Sequence, residues 1–139
     1  MAFIEMNLGE DVKERDAAPE GEYTLVVSDV YEYEKGYDDG GKGTLIRVKH
    51  DIESDDPDSH FKPVYNYLSL PREGDDQEKI YNKTLMIKRY LSAAGIPFEG
   101  GGFNSEDLYG ARFTANLSKE VFEETGEESN RLDLPRLAE

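Results

Sequence analysis

Residues 61–97 read FKPVYNYLSLPREGDDQEKIYNKTLMIKRYLSAAGIP, and the hydrophobic period changes partway along them. In the first ten residues, Phe61, Tyr65 and Tyr67 hold one parity and Lys62, Val64, Asn66 and Leu68 the other. That alternation is the pattern of a half-buried strand. After Pro71 the period lengthens, and Ile80, Thr84, Ile87, Leu91 and Ala94 fall on one face of a helix. Asp75 or Asp76 is placed to cap its start. Gly95 can take the left-handed conformation that ends a helix, and Pro97 prevents its continuation.

Working outward, 21–33 alternate as a first strand. Tyr23, Leu25 and Val27 share one face, Thr24, Val26 and Val30 the other, and the strand continues through Tyr31 and Tyr33. A glycine-rich loop over 35–43 leads to a second strand at 44–52, with Ile46, Val48 and Ile52 opposite Leu45, Arg47 and Lys49. Beyond the helix, GGG at 100–102 is a connector and 104–109 suit one helical turn. A fourth strand follows Gly110, with Ala111, Phe113, Ala115 and Leu117 on its apolar side, and a short fifth spans 130–134 before Pro135. The order β-β-β-α-β-β is shared by the OB-fold, a five-stranded Greek-key barrel. The fold class expected is therefore mainly β, an OB-like barrel over 21–139 preceded by an N-terminal arm at 1–20. A mixed α+β sheet is the alternative, because element order does not prove closure.

The chain has 139 residues, which suits one domain, and no run approaches the ~18 apolar residues of a membrane span. A cytoplasmic protein is expected. Cysteine is absent and the two histidines are His50 and His60. That excludes disulfides, thiol chemistry and the common zinc and triad constellations. The formal net charge of −15 argues on its face against nucleic acid, but its distribution does not. All 31 acidic residues lie outside the windows 42–50, 59–72, 79–90 and 108–119, the segments with the most regular periodicity. Lys42, Arg47, Lys49, Lys62, Arg72 and Arg112 lie inside them, whereas the acids crowd 1–20, 51–58, 73–78 and 120–128.

The search for catalytic chemistry is negative. GGKGT at 40–44 lacks the spacing of a phosphate loop and precedes a strand instead of a helix. Asp51, Glu53, Asp55, Asp56 and Asp58 lack the glycine and the terminal glutamate of a calcium loop, so a solvated acidic surface is the expectation. His50 shares parity with Ile46 and Val48 and reads as a hydrogen-bonded histidine at the barrel end. No enzyme, metal or cofactor is expected. The constellation that does converge is cationic and aromatic. If Val64 and Leu68 face inward, Phe61, Tyr65 and Tyr67 form a platform beside Arg47 and Lys49. Lys62 and Arg112 add charge, and Tyr33, Tyr37 and Lys42 flank the first loop. Rings stack on unpaired bases while cations track phosphates. The opposite parity, with Tyr65 and Tyr67 in the core and Asn66 outward, fits the pattern equally well.

Four strings carry a resemblance: GEYTL at 21–25, VYNYLSLP at 64–71, YLSAAGIP at 90–97 and LYGARFTANL at 108–117. Through them the chain resembles the small single-stranded-DNA-binding proteins of bacteriophage replication and recombination modules, over about 20–137. The resemblance implies an OB barrel, no catalysis and frequent self-association. It also implies, for many members, a very acidic tail that recruits replication or recombination proteins. Residues 131–139, RLDLPRLAE, do not have that character, so recruitment through a tail is not expected here.

The function this points to is sequence-independent binding of single-stranded DNA. An acidic DNA mimic that occupies a partner's DNA cleft, or a structural phage or adaptor module, are the alternatives. A mimic has no use for a shared patch of Arg47, Lys49 and Arg112. The apolar Phe3, Ile4, Met6 and Leu8 offer a means of homo-oligomerisation or pack back on their own domain.

Overall fold

A computed structural model describes residues 2–10, 12–38, 40–54 and 60–138. Five strands, β1 (Gly21–Gly36), β2 (Lys42–Ile52), β3 (Val64–Ser69), β4 (Arg112–Val121) and β5 (Glu128–Asp133), form one antiparallel sheet. Its order is β3-β2-β1-β4-β5. Helix α1 (Gln77–Ala94) connects β3 to β4, followed by a short 3-10 turn at Ser105–Leu108. The sheet curls until its two outer strands, β3 and β5, approach each other without a hydrogen-bonded ladder. The result is an OB-like barrel that is open along one seam.

β1 makes the curl possible. Its first half pairs with β4 from Gly21↔Leu117 to Val26↔Arg112, and the strand pairs with β2 from Leu25↔Ile52 to Gly36↔Lys42. Between the pairs Val27↔His50 and Asp29↔Lys49 the register slips by one residue, leaving Ser28 as a bulge. A bulge bends the strand and exchanges its two faces from that point onward. Leu25 and Val27 point into the core before it, and Val30 packs against the core after it. Tyr31 would stay in phase with Leu25 and Val27 in an unbroken strand; here it is turned to solvent.

α1 closes one end of the barrel. The Asp76 carboxylate accepts the N–H of Lys79 at 2.8 Å, and Gly95 ends the helix at φ 70° with its N–H on the last carbonyls. The helix buries Ile87, Tyr90, Leu91 and Ala94. Ile80 and Thr84, on the stripe expected from sequence, lie in its first turns and stay exposed; the helix is buried only from Ile87 onward. Under the helix His50, Tyr90 and Phe113 meet edge to face, with centroids 5.6–6.1 Å apart. Each such pair contributes about 0.5–1.5 kcal/mol beyond its buried area.

The root of the N-terminal segment belongs to the barrel. Ala18 is fully buried, its N–H and carbonyl clamped by the Asn130 side chain at 2.8 and 2.9 Å. The Asp16 carbonyl accepts the N–H of Lys62 at 2.9 Å. Further out, Phe3, Ile4, Met6, Leu8 and Val12 are exposed.

Candidate nucleic-acid interface

The buried Val64 and Leu68 fix the parity of β3 and send Tyr65 and Tyr67 outward. Register then decides what stands beside them. One row across the sheet is Tyr31, Arg47, Tyr67; the next is Asp29, Lys49, Tyr65; the row on the other side is Tyr33, Leu45, Ser69. Tyr31 and Tyr33 stack at 5.5 Å with planes 20° apart. The Arg47 guanidinium sits 5.5 Å from the ring centre of Tyr31 and 5.3 Å from that of Tyr65, bridging β1 and β3. Tyr31 and Tyr67 are each 54% exposed and Tyr65 41%. What sets these three tyrosines apart from the exposed Tyr81, Tyr109 and Phe122 is that they adjoin on one sheet face, a contiguous patch of the kind that marks an interaction surface.

Arg47 makes no ion pair with any described residue, and neither does Lys49, although Asp29 stands across from it in register. In a chain with 31 carboxylates that isolation is unusual. The rings hold the guanidinium by cation–π attraction, leaving its N–H groups for an anion.

Other residues expected at this interface are engaged elsewhere. Phe61 precedes β3 and packs edge-on against Tyr23 at 6.2 Å, beside the bridge from Asp16, so it is not part of the platform. The Lys62 ammonium donates to the carbonyl of Glu128 at 2.8 Å and tethers β5. Arg112 shares the outer surface but lies beyond the bulge, where its Nε and a terminal N–H group donate to the two oxygens of Glu53 at 2.9 and 2.7 Å. Those donors hold the Glu53 carboxyl below its ordinary range. Tyr37 is half-buried, with the Arg72 guanidinium 3.9 Å from its ring centre and Lys35 and Lys83 at 5.8 and 5.9 Å. Arg72 and Lys83 are in turn held by Asp75, whose carboxyl is kept low by the Arg72 backbone N–H and the Lys83 ammonium. Gly43 lies under this ring, where a Cβ would come within 2.8 Å of it. This cluster fixes the loop; Lys42 at its edge is exposed.

Tyr31 is the platform residue that alternation misses. Unbroken parity with Leu25 and Val27 assigns it to the core, and only the bulge at Ser28 brings it out. His50 is fully buried as a neutral ring. Its Nδ1–H donates to the carbonyl of Val64 at 2.8 Å, so its Nε2 accepts the Tyr90 hydroxyl at 2.6 Å. Burial pushes its pKa down and that of the Tyr90 hydroxyl up. Both serve the core below the platform.

Among the described residues no three His, Asp or Glu side chains converge as metal ligands; Asp55, Asp56 and Asp58 lie outside those residues. No described helix is long and apolar enough to cross a membrane. The fold and this face define an OB-like barrel with an aromatic, cationic outer surface on its first three strands. No protein-family model matches the chain, and no curated protein does.

Proposed function

We propose that this protein binds single-stranded DNA without sequence preference on the outer face of β1–β3, coating intermediates of DNA replication and recombination. Arg47 carries the reading: a guanidinium held between two exposed tyrosine rings and paired with no carboxylate among the described residues of a strongly acidic chain. Every base has a face to stack, so a tyrosine platform tolerates any sequence, and each stacked ring contributes about 1–3 kcal/mol. Arg47 and Lys49 neutralise the phosphates between stacked bases. The platform lies on the strands that carry ligand in OB barrels and has no helix or ribbon to enter a duplex groove. The acidic remainder of the surface repels duplex DNA that would otherwise settle nonspecifically.

The test is fluorescence anisotropy with a labelled oligo-dT of about 30 nucleotides, against the same strand annealed to its complement, at several salt concentrations. Binding is expected for the single strand alone, with a log–log salt slope of about −0.7 for each phosphate contacted. No binding at low salt would overturn the proposal and turn attention to the acidic surface as a partner-binding face.

A further inference from the structure

The open seam between β3 and β5 holds a cleft of about 320 Å3 lined by Tyr65, Asn66, Met86, Arg89, Arg131 and Asp133, among others. Arg89 reaches it from α1. Among the described residues its buried Nε has no hydrogen-bond partner, and the one hydrogen bond of its guanidinium is a terminal N–H 4.0 Å from the Met86 sulfur. Leaving such a donor unmade destabilises the fold, and more so when the group is charged. An unmet buried donor calls for an explanation, and a ligand held by the rest of the guanidinium is one. Carboxylates are abundant in this chain, yet among the described residues none pairs with Arg89. Arg131 holds Glu120 only loosely, at 3.6 Å, and Asp133 accepts the Ser118 hydroxyl at 3.1 Å.

Tyr65 connects this cleft to the platform. Arg47 lies 5.3 Å from its ring centre, and the same residue forms one wall of the cleft. A strand whose base stacks on Tyr65 therefore has its next phosphates at the mouth of the seam. From this continuity we infer that Arg89 binds a backbone phosphate of the single strand where it leaves the sheet. The binding track then runs from β1 across β3 into the β3–β5 cleft. A guanidinium suits a phosphate, since it presents a planar fork of donors. The inference rests on the function proposed above.

The experiment compares Arg89→Met and Arg89→Lys with the unsubstituted chain on two oligo-dT lengths. One is about 4 nucleotides, enough for the platform, and one about 16, enough to enter the cleft. Binding is read by quenching of tyrosine fluorescence, unobscured because the chain has no tryptophan. Arg89→Met keeps the apolar stem and removes the unmet donor, so the urea midpoint should not fall. On the long strand its affinity should fall at least fivefold and its salt slope flatten by about 0.7; on the short strand neither should move. Arg89→Lys should restore part of the long-strand affinity. Equal affinity for all three proteins on the long strand would overturn the inference and leave the platform standing. So would an equal loss at both lengths, which would make Arg89 a support for Tyr65. An unsubstituted chain that binds neither length removes the platform reading and this inference together.

Discussion

The outer face of β1–β3 and that of β4–β5 are cut from the same sheet and treat their cations in opposite ways. On β4 and β5 every cation has a carboxylate: Arg112 has Glu53, Lys119 has Glu128 at 3.2 Å, and Arg131 has Glu120 at 3.6 Å. On β1–β3 Arg47 has tyrosines in place of carboxylates, and Lys49 faces Asp29 without closing a pair. Exposed pairs add little stability, so the first arrangement mainly cancels charge. The second keeps positive charge available in a chain of net −15 and sets flat rings around it. What separates the faces is therefore which neighbours the register supplies, since both carry basic residues.

Stripping the rings is the most direct way to break that contrast. Tyr65→Ala with Tyr67→Ala should cost about 1–3 kcal/mol of single-strand affinity per lost stack, at least tenfold in anisotropy titrations. The urea midpoint should barely move, since both rings lie outside the core. An affinity unchanged by the pair would leave the β1–β3 face with no advantage over the other.

Converting one face into the other sharpens it. Tyr31 sits directly across from Arg47, so Tyr31→Glu gives that guanidinium the carboxylate it lacks. Opposite charges across a strand pair stabilise by about 0.2–1 kcal/mol, so the variant should fold as well as the parent. It should nevertheless bind single strands more weakly than Tyr31→Ala. If the two variants bind alike, pairing is not what silences a cation here.

Both faces rest on the same floor, which makes a pH dependence a test of the sheet as a whole. Folded His50 resists protonation while the unfolded chain takes up a proton near the ordinary histidine value of 6.5. The unfolded state then binds more protons, so stability is complete above about pH 6.5 and declines as pH falls below it. The decline levels off once folded His50 also protonates. Urea midpoints between about pH 8 and 5 should show that decline in the parent and in His60→Gln; a flat profile would contradict the neutral, doubly bonded ring.

The smallest effect is expected from Glu53→Gln, which frees Arg112 on the paired face. Single-strand affinity should rise less than about twofold, with a salt slope steeper by no more than about 0.7, because one added cation makes at most one phosphate contact. A larger gain would mean that neutralisation, and not the absence of rings, separates the faces.

Local signals in the chain determined a good deal. Asp75 or Asp76, with Gly95 and Pro97, bounded α1, since capping depends on residues within a turn of each end, and the structure chose Asp76. Alternation placed β2 and β4 and put His50 inside, because side-chain period is a property of each strand alone. The sequence left both parities of β3 open. Burial of Val64 and Leu68 against the helix and β2 chose between them. The tertiary structure alone decided that Tyr31 faces out, because the extra residue at Ser28 shows only when β1 is paired with β2. It also decided that Arg112 is spent on Glu53 and Lys62 on the carbonyl of Glu128, partners 59 and 66 residues away. Charge density along a chain says where cations are. Which of them keep their donors free depends on register between strands far apart in sequence, and no local pattern encodes that.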